Sequence, residues 1–309
     1  MGIDNKYGMK LFRTVIPLLT ISMVLACQPT KEKRIFNLQE AINEVVKNKN
    51  AIIGISVLTD SSIIAFHNDT LSLPLLSVFK FPVALTALNY ANSSGTSLDT
   101  LFELSADDLK TNTYSPLLSR YPQQKGNIRL DSLIFYSVAL SDNNANDILM
   151  KYAGGPQAVE NYLKKLGFNK IHIATDEDGM HRYSELLLEN KADAISISKL
   201  FRTFIQQKLF APEYQRCLFE ILTQTSTGKD KLRNGIPDNI VLGHKTGSSP
   251  RTLKGIKIAD NDAGFFLLPD HRRYYICVLI HNSSENDSTN ADIISNVSRL
   301  TYEYFNIEQ

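Results

Sequence analysis

Three short patterns in this sequence carry chemistry. Ser77-Val78-Phe79-Lys80 is an S-x-x-K tetrad. Residues i and i+3 share a helix face, so in a helix Lys80 sets its amine beside the Ser77 hydroxyl. A free serine is a weak nucleophile and needs such an adjacent base. The helix N-terminus adds the positive end of a dipole, suited to developing negative charge. Two more tetrads occur, at Ser196–Lys199 and Ser226–Lys229, and context separates them. Ser77 stands at the start of an apolar helix, after Pro74-Leu75-Leu76. Ser196 reads as a helix cap, and Ser226 lies in a Thr/Ser/Gly loop. Ser141-Asp142-Asn143 and Lys245-Thr246-Gly247 each occur once. Alone, the first is a loop and cap cluster and the second a polar strand end. A given tripeptide arises by chance in roughly a few per cent of chains this long. The ordered set of three patterns is much rarer.

The elements that must position these residues follow from periodicity and punctuation. Asn37 caps a helix, with Glu40 three residues on, and Leu38, Ala41, Ile42, Val45 and Val46 fall on one face. Ala51–Leu58 and Ser62–His67 read as strands joined by Thr59-Asp60-Ser61. Helical periodicity runs from about Ser77 to Tyr90, and Pro82 distorts its first turn because it cannot donate to the Val78 carbonyl. Helices follow at Leu130–Leu140, Asn146–Tyr152, Gln157–Leu166, Ile197–Lys208 and Pro212–Gln224, with Gly154-Gly155-Pro156 as a stop and a start. Strands return at Ile240–Lys245, Lys254–Ile258, Ala263–Leu268 and Tyr274–Ile280, before a last helix at Asn290–Phe305. Strands from the two ends of the chain pair into one antiparallel sheet covered by the terminal helices, and the middle becomes an inserted helical lobe. This is an α/β (α+β) architecture. The α/β lobe takes about 35–75 and 225–309, and the helical lobe about 76–224. A cleft between lobes suits a small-molecule site.

Composition narrows the function. The 309 residues are 43% hydrophobic and 21% charged, near the globular average. Lys plus Arg is 33 and Asp plus Glu is 32, for a net +1, which leaves no basic footprint for nucleic acid. The three cysteines form no C-x-x-C and the six histidines no H-x-x-x-H, so no metal site is expected. No nucleotide-phosphate motif occurs. Cys217 and Cys277 read as core thiols, with a disulfide between them left open by export.

The N-terminus is an address. Lys6, Lys10 and Arg13 precede a 13-residue, mostly apolar run from Thr14 to Ala26. A spanning helix needs about 20 apolar residues, so this run is a signal peptide, beginning at Met1 or Met9. Val24-Leu25-Ala26-Cys27 resembles a bacterial lipoprotein cleavage box. That resemblance implies cleavage before Cys27, acylation of Cys27, and a tether over 27–34 leading into a catalytic domain at 35–309. The expected location is the periplasm, anchored by lipid to the outer membrane.

The three patterns, in this order, resemble those of class A β-lactamases and penicillin-binding proteins. The intervals of 64 residues from Ser77 to Ser141 and 104 from Ser141 to Lys245 are similar to those of class A. Tyr114-Ser115-Pro116 resembles the segment bearing an aromatic at the cleft mouth. Gly243–Ser248 resembles the cleft-edge strand, and Ala174–His181 the Ω-loop of the extended-spectrum, Bacteroides-type branch. Thr175 and Asp178 stand where the family has a loop-clamping Arg and a Pro. The resemblance implies a serine β-lactamase fold and hydrolysis of penicillins and cephalosporins through an acyl-enzyme, with no cofactor, by a monomer. It implies Ser77 as nucleophile, Lys80 or Glu177 with a water as acylation base, and Ser141 as proton relay. The amides of Ser77 and Ser248 form the oxyanion hole. Lys245, Thr246, Gly247 and Ser248 serve the substrate carboxylate, Asn143 its side-chain amide, and Tyr114 the rim. Glu177 activates the deacylating water and His181 helps to place it. Lys231, Arg233 and Arg251 are candidates for an extra cation. The rivals are a D-Ala-D-Ala carboxypeptidase and a non-catalytic β-lactam sensor.

Overall fold

The computed structural model describes residues 1–2 and 37–307. The apolar run, Cys27 and the tether lie outside the described residues. Helix α1 (Leu38–Val46) starts where expected: the Asn37 side chain accepts from the Glu40 amide, and Leu38 and Ile42 are buried. Strands β1 (Ile52–Thr59) and β2 (Ile63–His67) pair antiparallel around a turn in which Thr59 Oγ1 accepts from the amides of Ser61 and Ser62. A two-residue strand, β3 (Leu73–Pro74), leads to a 3-10 turn over Leu76–Phe79. Helix α2 (Lys80–Ser94) therefore begins three residues later than periodicity predicts. Leu76, the first residue of the turn, takes a left-handed backbone (φ 44°), and Pro82 cannot donate to Val78. The α-ladder has no footing here and the chain tightens to 3-10. The helix stops at Gly95, left-handed at φ 68°. Every residue from Lys80 to Leu88 is buried, so the first half of the helix runs through the core.

Around that helix stand β4 (Leu101–Leu104), α3 (Pro116–Arg120), β5 (Gly126–Arg129), α4 (Leu130–Val138), α5 (Asn143–Tyr152), α6 (Pro156–Lys165) and α7 (Glu177–Arg182). Strand β6 (Lys191–Ala192), α8 (Ala194–Gln206) and α9 (Pro212–Thr223) complete the set. The short ladders β4–β5 and β3–β6 escaped the sequence reading. Helix α5 opens three residues earlier than predicted because Asp142 caps it, accepting from the Ala145 amide. Ser196 is not a cap: Asp193 caps α8 and accepts from the Ser196 amide.

The sheet closes with β7 (Val241–Ser248), β8 (Lys257–Leu267) and β9 (Arg273–Ser283), and its order is β2-β1-β9-β8-β7, all antiparallel. Two predicted strands, Lys254–Ile258 and Ala263–Leu268, are one. Asp260-Asn261-Asp262, between them, belong to the same strand: all three are buried, with side chains hydrogen-bonded to Lys231, Pro74 and His244. On β9, side chains alternate between two cores. Tyr275, Cys277 and Leu279 join the helical lobe, while Tyr274, Ile276, Val278 and Ile280 pack with α1 and α10 (Asp287–Ile307). Cys277 is a fully buried thiol and Cys217, on α9, is half-buried. Both are free, so no disulfide joins them. Among the described residues no helix is long and apolar enough to cross a membrane.

Candidate active site

The 3-10 turn before α2, the loop between α4 and α5, helix α7 and strand β7 border a cleft of about 600 Å3. Ser77, Tyr114, Ser141, Asn143, Glu177, His181, Thr246, Gly247 and Ser248 line it, with Lys80 and Lys245 buried beneath. Ser77 is brought to the cleft by the 3-10 turn, and the turn is pressed against β7. A Cβ on Gly247 would stand 2.5 Å from the Leu75 carbonyl oxygen and 3.0 Å from the Ser77 nitrogen. The glycine of Lys245-Thr246-Gly247 is thus a steric requirement: any side chain would push the nucleophile turn off the strand.

Lys80 is fully buried, and its three donors have three acceptors. Nζ lies 2.7 Å from the Ser141 carbonyl, 2.6 Å from Asn143 Oδ1 and 3.0 Å from Glu177 Oε1. Glu177 Oε1 also accepts from the Ser77 hydroxyl at 3.5 Å, a long bond. One carboxylate oxygen therefore serves both nucleophile and lysine.

Ser141 occupies the left-handed region (φ 59°) between α4 and α5. That conformation, rare for a residue with a side chain, turns its carbonyl to Lys80 and leaves its hydroxyl on Lys245 Nζ at 2.8 Å. Lys245 also donates to the Thr246 carbonyl at 2.9 Å. Burial, reinforced by the charge of Lys80, holds the Lys245 ammonium well below its ordinary range. Asp142 faces away from the chemistry. It accepts from the Leu117 amide (2.6 Å), the Ala145 amide (2.8 Å) and the Ser115 hydroxyl, fixing α3 to α5. Tyr114, 59% exposed at the rim, accepts from the Asn143 amide, and Asn143 Nδ2 donates to Thr113 Oγ1.

The run Asp176-Glu177-Asp178 is sorted by geometry. Asp176 caps α7 through the Gly179 amide at 2.8 Å, and Asp178 pairs with Arg182. Glu177 alone of the three lines the cleft. His181, one turn later, lines it too.

Two further residues hold this loop, and sequence reasoning missed both. Asp147 Oδ1 accepts from the Glu177 amide at 2.8 Å, and Oδ2 from the Asp178 amide at 2.9 Å. Burial, with Asp176 and Glu177 adding repulsion, pushes its carboxyl up to about 7. The available signal was spacing: Asp147 lies four residues after Asn143, on the same face of α5. Asn190 closes the loop's neck, accepting from the amides of Ala174 (2.8 Å) and Thr175 (3.1 Å) and donating to the Thr175 carbonyl (2.9 Å). This amide clasp spans the place where Thr175 replaces the family's arginine.

Of the three cation candidates only Lys231 borders the cleft, and it is bound to Asp260 at 2.5 Å. Arg233 donates to the carbonyls of Pro237 and Ile240, and Arg251 to Asp287 and two backbone carbonyls. Ser196 and Ser226 lie outside the lining.

The family model described as "Beta-lactamase enzyme family" matches residues 37–305. A β-lactamase of Bacteroides uniformis is 39% identical, over 94% of this chain and 98% of that protein. β-Lactamase VEB-1 of Pseudomonas aeruginosa is 31% identical, over 87% of this chain and 90% of its own. The crystal structure of a class A β-lactamase from Bacteroides cellulosilyticus DSM 14838 superposes with a TM-score of 0.85 at 40% identity. It covers 88% of this chain and 98% of that one.

Proposed function

The chain belongs to the class A serine β-lactamase family and hydrolyses β-lactams, the activity that confers resistance, and on that premise we propose the part each residue plays. Ser77 Oγ attacks the lactam carbonyl carbon, and its proton passes to Glu177. The shared Glu177 oxygen supports this route over Lys80. Lys80 Nζ is already taken up by the Ser141 carbonyl, Asn143 Oδ1 and Glu177 Oε1, whereas Glu177 Oε1 faces the Ser77 hydroxyl. The oxyanion is held by the amides of Ser77 and Ser248, each such donor being worth about 3–4 kcal/mol of barrier. Ser141, its hydroxyl held by Lys245 Nζ at 2.8 Å, then gives its proton to the lactam nitrogen as the C–N bond breaks. The proton that Glu177 took from Ser77 is returned to Ser141 by way of Lys80 Nζ, 3.0 Å from Glu177 Oε1, so that Glu177 is a carboxylate again.

Lys245, Thr246 and Ser248 hold the substrate carboxylate through charge-assisted hydrogen bonds, at the end of β7 where Gly247 lets the nucleophile turn lie against the strand. Asn143 binds the side-chain amide and keeps Lys80 in line, and Tyr114 flanks the entrance. Glu177 next takes a proton from water as that water attacks the acyl ester, and returns it to Ser77 Oγ as the ester C–O bond breaks; His181 orients the water.

The reach of Glu177 Oε1 to both Ser77 Oγ and Lys80 Nζ carries this reading against a slowly deacylating carboxypeptidase or a sensor. Steady-state nitrocefin hydrolysis by the mature chain tests it, with intact mass after benzylpenicillin on three alanine variants. Ser77→Ala should lose turnover and label, while Ser196→Ala and Ser226→Ala keep both. Labelling retained in Ser77→Ala would overturn the assignment. The protein acts as an exported monomer, held at the membrane by lipid on Cys27.

A further inference from the structure

The segment before the nucleophile has an unusual shape that it does not hold alone. Successive residues of a strand alternate in direction, yet the carbonyls of Pro74 and Leu75 converge on one group, the side-chain amide of Asn261. Its Nδ2 donates to Pro74 at 2.8 Å and to Leu75 at 3.0 Å. The curl this requires is present: Leu75 is helical (φ −81°, ψ −30°) and Leu76 is left-handed (φ 44°), a region leucine rarely enters. The turn's own contribution is the bond from the Val78 amide to the Leu75 carbonyl at 3.2 Å.

Asn261 is fully buried in the middle of β8, and its Oδ1 accepts from the Ile280 amide of β9 at 3.0 Å. The clasp is therefore rooted in the sheet. Its neighbours bind elsewhere, Asp260 to Lys231 and Asp262 to His244 and the Leu232 amide. On the other side, the Leu75 amide donates to the Asn190 carbonyl at 2.8 Å. The curl thus hangs between β8 and the residue that closes the Glu177 loop.

We propose that Asn261 is a positioning residue for the acylation step: by holding the Pro74–Leu76 curl it aims the Ser77 amide and hydroxyl at the oxyanion position beside β7. The residue type follows from the acceptors. Two carbonyls need two N–H donors on one short arm, and the Ile280 amide needs an acceptor on the same arm; asparagine supplies both. Aspartate keeps the shape but turns an anionic oxygen on the two carbonyls, and serine cannot span them.

The inference rests on Ser77 being the nucleophile. Its test uses the mature chain carrying Asn261→Asp or Asn261→Ser, with Ser298→Ala as a control. Ser298 is a buried hydroxyl that donates to the Leu232 carbonyl at 2.8 Å, on the far face of the sheet. Each protein is measured for thermal midpoint, for the rate of acylation by benzylpenicillin, and for affinity for phenylboronic acid, a tetrahedral adduct of the serine. Displacing an oxyanion donor rather than deleting it should slow acylation about 10- to 100-fold. Boronate affinity should fall by a similar factor with little change in KM. Ser298→Ala should lose midpoint but stay within about twofold in both other readouts.

Wild-type acylation and boronate affinity in either folded Asn261 variant would overturn the proposal. So would an equal loss in Ser298→Ala at a matched midpoint. A wild-type chain that takes no label from benzylpenicillin would overturn the nucleophile assignment instead, and this inference with it.

Discussion

Replacing Asp147 with asparagine should change how stability depends on pH. The Asp147 carboxyl is raised from 3.8 to about 7, burial being the larger cause and the charges of Asp176 and Glu177 adding to it. A raised carboxyl binds its proton more tightly folded than unfolded. Its contribution is therefore most favourable below the unfolded value and is lost as pH rises through the folded value. The cost of keeping the charged form folded grows from about 1.7 kcal/mol near pH 5 to about 4.3 kcal/mol near pH 8.5, a rise of about 3 kcal/mol. The side chain is not wholly sealed from solvent, which makes this an upper figure. Asparagine removes the titration. It also leaves one of the two amides, Glu177 or Asp178, facing an N–H instead of an oxygen, which costs about 1–3 kcal/mol at every pH. Asp147→Asn should thus lie within about 1 kcal/mol of wild type near pH 5 and be more stable than it, by about 1–3 kcal/mol, near pH 8.5. Urea unfolding of both proteins across that range is the assay. Parallel stability curves would mean that Asp147 titrates alike in the folded and unfolded states.

Other consequences follow from the same geometry. The Lys245 ammonium is held below its ordinary range by burial and by Lys80, so kcat/KM for an anionic penicillin should fall on an alkaline limb beginning below pH 10.5. Lys245→Arg should move that limb upward, and a limb that stays put would assign it to another group. Cys27→Ser should release the chain into the soluble periplasmic fraction or block its processing, read by fractionation and radioactive palmitate. A wild-type chain already soluble and unlabelled would exclude the anchor.

What the sequence disclosed is what is local. Ser77 and Lys80, or Ser141 and Asn143, are near neighbours whose types and spacing state their chemistry before any fold is known. Long periodic helices such as α9 were legible for the same reason. The residues that aim this chemistry act at a distance and on backbone. Asp147 reaches 30 residues to the Glu177 amide, Asn190 15 to Thr175, and Asn261 187 to Pro74. An acceptor for a remote N–H leaves no mark in hydropathy. Asn261 also stands in Asp260-Asn261-Asp262, a polar run that is nonetheless buried and joins the two apolar stretches of β8 into one strand. The start of α2 was set three residues early because a left-handed Leu76 has no local signature. The β4–β5 ladder pairs four-residue strands of mixed polarity whose partnership only the folded chain reveals.

The central claim is that Glu177 makes this chain a hydrolase rather than a penicillin-binding trap. General-base catalysis of this kind is commonly worth about 10²–10⁴-fold. Intact mass followed through benzylpenicillin turnover tests it most directly, on wild type and on Glu177→Ala, His181→Ala, Asp176→Ala and Asp178→Ala. Wild type should show little adduct. Glu177→Ala should acylate and then hold the adduct at least about 100-fold longer. His181→Ala should be milder, because it orients water rather than taking its proton. A Glu177→Ala protein that turns over at the wild-type rate, or a wild-type enzyme that stays acylated for hours, would contradict it.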